Sequence, residues 1–520
     1  MAKEVWEVTS QKRKLTEDEI SILILIIAIL LGGWFRFMPA WLAGFPVNDG
    51  GMFYAMMKDL KANHFVPPLY TTYNQLNIPF AYPPLALYIG ALISSVFKVS
   101  EFEILRWLPA FVNMLTIPAF YFLAKEITND KLKSAIAAFV FAFTPHLLEW
   151  LSMGGGLTRS FGTLFMMLTA LFSYRMFVLE HNKYILLTIL VGSLTALSHT
   201  ESTIFAIALP VLFWLFTSRS IRGVKQGLMV AIGVFALAGG WYGFIISRHG
   251  LDPILSASQT GGQTPLAFLL LFNIRNITAE PFIDLVGVIG ILGMITLLSN
   301  KKYLIAAIYV MVYLIQPRSA HTIVNIPLAM AAGVFIVDTL LVQIKKPFFL
   351  IIVAAPILFA NIFYHSYIVS LNNVSEEERA AFQWIQDNTP EDSRFLVLTG
   401  EPTAFCDSTN EWFPALTNRH SITTIQGQEW IYGEVIEDKF DQKVKIEKCI
   451  EEGLRCLENE VKNLSEEADY IYVSYTHSVT SCNKEQYHLL GKNLLIIDLL
   501  SSKDYSIEHQ SIGTILFKKK

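Results

Sequence analysis

The chain has 520 residues, of which 53% are hydrophobic and 16% charged, with a formal net charge of −4. The apolar residues gather before about residue 370 and the charged ones after it, which divides the chain into a membrane part, 1–370, and a soluble part, 371–520. Near-neutral charge without a basic cluster argues against a nucleic-acid partner, and without Walker A, GxGxxG, GxSxG or HExxH patterns, nucleotide-driven transport, dehydrogenase chemistry, serine hydrolysis and zinc proteolysis lose support.

The first apolar stretch, Ile20 to Phe37, follows Lys12-Arg13-Lys14 and ends in no small-residue cleavage pattern. It reads as a retained helix with the N-terminus in the cytoplasm. Further spans are expected near 104–124, 133–148, 161–179, 183–199, 203–217, 225–246, 282–299, 302–316, 321–343 and 347–370, about eleven with the first. The run Pro83 to Phe97 reaches only about 22 Å at about 1.5 Å per residue, short of the roughly 30 Å hydrocarbon core. Treated as a juxtamembrane helix, it leaves Lys125/Lys131/Lys133, Lys183, Arg219/Arg222/Lys225, Lys301/Lys302 and Lys345/Lys346 all inside. The soluble part then lies outside the cell or in an equivalent lumen.

All four cysteines, Cys406, Cys449, Cys456 and Cys482, fall in that soluble part, as an oxidising compartment allows. In one unbroken helix over 443–462, Cys449 and Cys456 would stand about 10 Å apart along the axis, too far to bridge. Gly453 is placed to break such a helix, so the pairing stays open. Ser375-Glu376-Glu377-Glu378 forms a capping box for a helix through Trp384. Strands are expected at Arg394–Leu398, Tyr470–Tyr475, Leu494–Leu499 and Thr514–Phe517. The expected architecture is an α-helical multi-pass membrane protein with a C-terminal extracytoplasmic α/β domain.

Four polar segments converge on the outer face in this topology. The first holds Val47-Asn48-Asp49-Gly50-Gly51, His64 and Tyr82-Pro83-Pro84. A carboxylate at a membrane surface is costly, so Asp49 points to chemistry. It suits a general base toward an acceptor hydroxyl, or a ligand for a divalent cation (Mg or Mn) beside Asn48. The alternative is a helix cap, with Met52 to Leu60 an amphipathic stretch lying flat on the membrane. The second segment offers His146, Glu149, three glycines at 154–156 whose N–H groups can approach an anion, and Arg159 to pair with a phosphate or to snorkel. The third, Ser198-His199-Thr200-Glu201-Ser202, holds a His–Glu pair suited to acid–base work or a metal, or simply to capping. The fourth, Gln316-Pro317-Arg318-Ser319-Ala320-His321, is a cationic turn suited to a phosphate. The loop 247–281, with Arg248, Asp252, Glu280 and an apolar helix near Leu266–Phe272, is a lid or a plain connection.

These features resemble the GT-C superfamily of integral-membrane glycosyltransferases. The local carriers are Asn48-Asp49-Gly50-Gly51, Tyr82-Pro83-Pro84-Leu85, the stretch Ala124 to Lys131, and Phe143-Thr144-Pro145. The resemblance implies a catalytic Asp in the first outer loop, which maps onto Asp49, and juxtamembrane helices matching 83–97. It further implies a polyprenyl-phosphate-linked sugar donor in the bilayer and a glycan, lipid or protein acceptor. Two features depart from the oligosaccharyltransferase branch. The stretch 153–162 lacks that branch's acidic metal ligands, and its Trp-Trp-Asp motif is replaced at best by Glu411-Trp412-Phe413-Pro414. Transfer of a single sugar is therefore favoured over en bloc glycan transfer. Asp49, Glu149, His199 and Glu201 are the catalytic candidates, and Asn48, Tyr82, His146, Arg159, Arg318 and His321 the substrate-binding ones. A lipid or sugar transporter is the rival from another class, disfavoured because ionisable residues gather at the outer helix ends rather than mid-span.

Overall fold

A computed structural model of the chain describes residues 15–179, 181–259, 265–344, 347–462, 464, 466–475 and 493–520. Lys12, Arg13, Lys14, Lys345, Lys346 and Cys482 lie outside the described residues. Seven described helices are long and apolar enough to cross a membrane: Glu17–Ala43, Glu101–Thr128, Gly156–Val178, Thr200–Ser218, Ile221–His249, Pro317–Gln343 and Ile351–Ser370. The pair Lys131–Ala142 and Pro145–Ser152, bent by 67°, makes an eighth when counted as one span. The other expected spans fall on the shorter apolar helices Lys183–Ala196, Leu285–Ser299 and Leu304–Ile315, and Leu85–Phe97 is a fourth of this kind. The protein is thus multi-pass.

The bend at Phe143-Thr144-Pro145 follows from proline, which has no N–H to continue the ladder. Backbone carbonyls freed inside an apolar bundle need new donors. Arg36, fully buried in the first helix, donates from Nη1 to the carbonyls of Gly32 and Ala142, both at 3.0 Å, and from Nε to Asn113 Oδ1 at 3.2 Å. Asn113 Nδ2 in turn donates to the Leu147 carbonyl at 2.8 Å and Ser152 Oγ at 2.9 Å. This pair pins the short turn that carries His146 and Glu149.

In the C-terminal part, Ser375 and Glu378 form the expected capping box on helix Glu376–Asn388. Five strands follow: β1 Arg394–Leu398, β2 His420–Ser421, β3 Tyr470–Ser474, β4 Tyr505–Ser511 and β5 Thr514–Lys519. They form one mixed sheet in the order β2-β1-β3-β5-β4, with β1 parallel to both neighbours and β5 antiparallel to β3 and β4. The expected strand Leu494–Leu499 is instead a helix, Leu494–Ser501, capped by the Asn493 side chain. Its buried residues Leu495, Ile496 and Leu499 follow helical spacing, which a short apolar run does not disclose.

The cysteine spacing resolves through Gly453. Its φ of +90° ends helix Ile436–Glu452 and starts Leu454–Val461, so Cys449 and Cys456 form a disulfide with Cα atoms 5.3 Å apart. Cys406 is also disulfide-bonded.

The helix Ser408–Thr417, bearing Glu411 and Trp412, packs against the first loop. Asp407 caps it, accepting from Asn410 N at 3.0 Å, and is itself held by Lys443 Nζ at 2.7 Å and Thr399 Oγ at 2.8 Å. Glu447 lies 3.0 Å from the same ammonium. Burial works against the Lys443 ammonium, yet the two carboxylates raise its pKa above the ordinary value. Lys443→Met leaves two buried carboxylates without their cation and is expected to destabilise by roughly 3–5 kcal/mol. A thermal melt of the full chain in detergent measures this, and an unchanged midpoint would contradict it.

The first loop forms the platform on which this helix sits. The apolar face of Gly51–Ala62, expected to rest on the membrane, is covered by protein: Met52, Met56, Met57 and Leu60 are buried. Its apolar face packs on Leu85–Phe97 and on Ser408–Thr417, so the burial is within protein rather than lipid. Asn74 adds two hydrogen bonds to Ser421, 3.0 and 2.7 Å long.

Candidate functional site

Asp49 sits between two residues with positive φ, Asn48 at +58° and Gly50 at +135°. The turn lies against the glycine run: Gly154 N donates to the Val47 carbonyl and Gly155 N to that of Asp49, both at 2.9 Å. Gly155 N also reaches Asp49 Oδ1 at 3.1 Å. The glycines therefore do present an N–H to an anion, and that anion is the chain's own carboxylate. Asp49 does not cap the following helix, whose N-cap is Gly50. A Cβ on Gly155 would lie 2.3 Å from the Asp49 carboxylate, a distance no packing tolerates. Gly155→Ala is expected to displace Asp49 and lower turnover by about 10²-fold without unfolding the chain. Kinetics alongside a thermal melt would check this, and full activity in the variant would contradict the placement.

Arg159 faces the other oxygen, its Nη1 3.7 Å from Asp49 Oδ2 and its guanidinium 5.0 Å above the Trp150 ring. Glu201 makes a second acid–cation pair, 3.5 Å from Arg318 Nε and 3.4 Å from Gln316 Nε2. The expected His199–Glu201 pair is not formed, because His199 is the N-cap of Thr200–Phe213 and its Nδ1 accepts from Ser202 N at 3.3 Å. One cavity is lined by Arg159, His199, Glu201, Ser202, Ser319 and Thr322. Arg159 Nη1 and Ser319 Oγ are buried there without a hydrogen-bond partner. Unmatched donors facing a shared space suit an anion.

Glu149 belongs to a neighbouring cluster, 3.4 Å from His146 Nδ1 and 3.1 Å from His365 Nε2. The His146 ring lies edge-on to His321 at 6.1 Å, and His321 Nδ1 is 3.5 Å from the Tyr313 hydroxyl. The Tyr82 ring lies edge-on to Phe53, at 4.8 Å, and tilted against Trp430, at 5.6 Å. His64 lies beyond the far end of the 12-residue helix that starts beside Asp49, whose axis is about 18 Å long. In the loop 247–281, Glu280 accepts from the N–H groups of Val286 and Gly287 and from Asn361, a helix-capping role. The helix Asp252–Gln259 of the same loop packs on Glu429–Tyr432.

The sequence reading missed three carboxyl or imidazole groups here. His365 lies in the last apolar helix, where a lone histidine was itself a signal. Glu411 and Glu429 come from the C-terminal part. Burial, then the charges of Asp49 and Glu429, push the Glu411 carboxyl well above its ordinary range, and burial raises Glu429. Trp412 is also part of the site: its Nε1 donates to the Asn48 carbonyl at 2.8 Å, and its ring meets Phe45 at 4.9 Å.

The donor set at Asp49 does not fit a divalent cation, since an N–H and a guanidinium already face its two oxygens. Among the described residues no three His, Cys, Asp or Glu side chains form a metal-holding group.

A multi-span helical bundle whose acidic and basic side chains meet at one end, beneath a small mixed sheet, is the GT-C fold of integral-membrane glycosyltransferases. ArnT from Cupriavidus metallidurans in its apo state is similar over 96% of this chain and 98% of its own, with a TM-score of 0.56 and 13% identity. The same protein bound to undecaprenyl phosphate is similar over 95% of this chain and 97% of its own, at 0.51 and 12%. The Archaeoglobus fulgidus oligosaccharyltransferase, solved with Zn and sulfate, is similar over 95% of this chain and 73% of its own, at 0.51 and 15%. No curated protein matches in sequence. Residues 81–241 match the family model described as dolichyl-phosphate-mannose-protein mannosyltransferase, a stretch that holds Tyr82, Glu149, Arg159, His199 and Glu201. The chain thus shares its fold with these glycosyltransferases, and residues 81–241 resemble the mannosyltransferase family.

Proposed function

We propose that the chain moves one sugar from a polyprenyl-phosphate carrier to an acceptor hydroxyl, on the extracytoplasmic side of the membrane. Residues 1–370 would be the catalytic membrane part and 371–520 an outer domain, with the N-terminus in the cytoplasm. The observation that carries this reading is the cavity with two unmatched buried donors, Arg159 Nη1 and Ser319 Oγ, beside Asp49 and the Glu201–Arg318 pair. The binding of undecaprenyl phosphate by ArnT supports a lipid-phosphate ligand.

The acceptor oxygen attacks the anomeric carbon as the bond from that carbon to the phosphate oxygen breaks. Asp49 takes the hydroxyl proton, and the departing lipid phosphate keeps the electron pair, its charge met by Arg159 and Arg318. The phosphate leaves without needing a proton, so a single base suffices. Glu201 holds Arg318 in place.

Release of polyprenyl phosphate from a panel of lipid-linked sugars, measured with purified protein and mixed glycan, lipid and peptide acceptors, tests the reading. Release with one donor supports it. No release across the panel would overturn it.

A further inference from the structure

A residue at positive φ keeps that course only where its surroundings fix it. Asn48, at φ +58° and buried, is such a residue, and its carbonyl belongs to the peptide that ends at the Asp49 N–H. That peptide is planar, so fixing its carbonyl sets the direction in which Asp49 leaves the turn. Hydrogen bonds hold the turn from two sides. On one side, Gly154 N and Gly155 N donate to the carbonyls of Val47 and Asp49. On the other, residues beyond 370 hold Asn48 at both ends: its N–H donates to the Asn372 carbonyl at 2.7 Å, and its carbonyl accepts from Trp412 Nε1 at 2.8 Å. The Trp412 side chain is wholly buried, its ring 4.9 Å from Phe45 and 6.2 Å from Phe102, so packing aims the indole N–H. A Cβ on Gly50 would lie 3.1 Å from that ring and 3.0 Å from the Gly154 backbone, so the turn is wedged between the indole and the glycine run. Next in sequence to Trp412, the Glu411 carbonyl accepts from the Tyr73 hydroxyl, which ties the helix Ser408–Thr417 to the first loop.

We propose that Trp412 is a positioning residue for Asp49: its indole N–H fixes the peptide that joins Asn48 to Asp49, and with it the direction of the carboxylate. The idea rests on Asp49 being the base of a sugar transfer. Phenylalanine at this position keeps an aromatic ring against Phe45 and Phe102 but offers no N–H. The Asn48 carbonyl is then buried without its donor, a costly state, so the peptide turns toward another donor and carries Asp49 with it. Arg318 and Ser319 belong to the helix Pro317–Gln343, which this change leaves alone, so the hold on the donor phosphate stays.

The experiment is a double-mutant cycle of Trp412→Phe and Asp49→Asn in the full chain, with kcat and the donor KM measured by lipid-phosphate release and folding checked by thermal melt. Trp412→Phe alone is expected to lose about 10²-fold in kcat with donor KM unchanged, the cost of moving a reacting group by about 1 Å. In the Asp49→Asn background the residual rate no longer depends on where a carboxylate stands, so adding Trp412→Phe changes it little. A tryptophan that only supports the fold would lower both backgrounds by the same factor, and that result would overturn the proposal. So would Trp412→Phe with normal kcat, or a loss confined to KM. If Trp412→Phe fails to fold, Tyr73→Phe, which loosens the same helix without touching Asn48, is taken through the same cycle and decides it by the same results. A wild type inactive on every donor defeats the transfer reading itself, whereas an inactive Asp49→Asn beside a normal Trp412→Phe defeats only the positioning role.

Discussion

Asp49→Asn lowers lipid-phosphate release by about 10²–10⁴-fold, the usual worth of a positioned general base, while the donor KM changes little. The amide keeps the shape of the side chain and its contact with Gly155 N, so the loop holds its course and only the proton acceptor is lost. Asparagine also removes the negative charge opposite Arg159, which strengthens rather than weakens the cavity's hold on a phosphate. The expected signature is therefore a collapse of kcat with donor binding retained, read by comparing turnover with donor binding at equilibrium. Loss of binding with kcat preserved would move Asp49 from catalysis to substrate recognition.

Arg159→Gln is expected to cost about 10²–10³-fold in kcat/KM, the range for removing one donor that meets developing charge. Two effects oppose each other in this variant. The leaving phosphate loses its cation, a loss of about 3–4 kcal/mol, while Asp49 is freed from a loose pair in which both side chains are partly exposed, worth at most about 1 kcal/mol. The first wins. Arg159→Lys is expected to recover little, because the flat guanidinium both stacks on Trp150 and presents a fork to phosphate that an ammonium lacks. Initial rates over a range of donor concentrations settle it, and a Gln variant with wild-type kcat/KM would remove Arg159 from the site.

The spans were legible because burial in lipid or in protein both demand long apolar runs, and those runs are local. The bend before Pro145 falls inside the expected span 133–148 and was not read, although proline is a local signal for it. Nor was what holds the bend: Arg36 sits within an apolar run, and its partners Asn113 and Ala142 come from other helices. Asp49, Arg159, Glu201 and Arg318 were assigned to one face by topology alone, whereas the pairing of Glu201 with Arg318 was not read. His199 was left open between capping and catalysis because a capping histidine and a catalytic one look alike in a turn, and the structure shows it capping. The Met52 to Leu60 stretch shows the same limit from the other side, because an amphipathic face does not say whether lipid or another helix covers it. The stretch Glu411-Trp412 was read only as a poor match to a motif, whereas the fold brings Trp412 to the Asn48 carbonyl, a contact no local pattern discloses. The Cys449–Cys456 bridge depended on whether one glycine would break a helix, which spacing left open.

Synthesis proceeds from the N-terminus, so the seven long apolar helices described above all precede Trp412 on the ribosome. The contact between Trp412 and Asn48 therefore joins a late-made segment to one of the first outside the bilayer. A nascent chain already lodged in the membrane holds Asp49 in a loop whose tryptophan clasp has yet to be made.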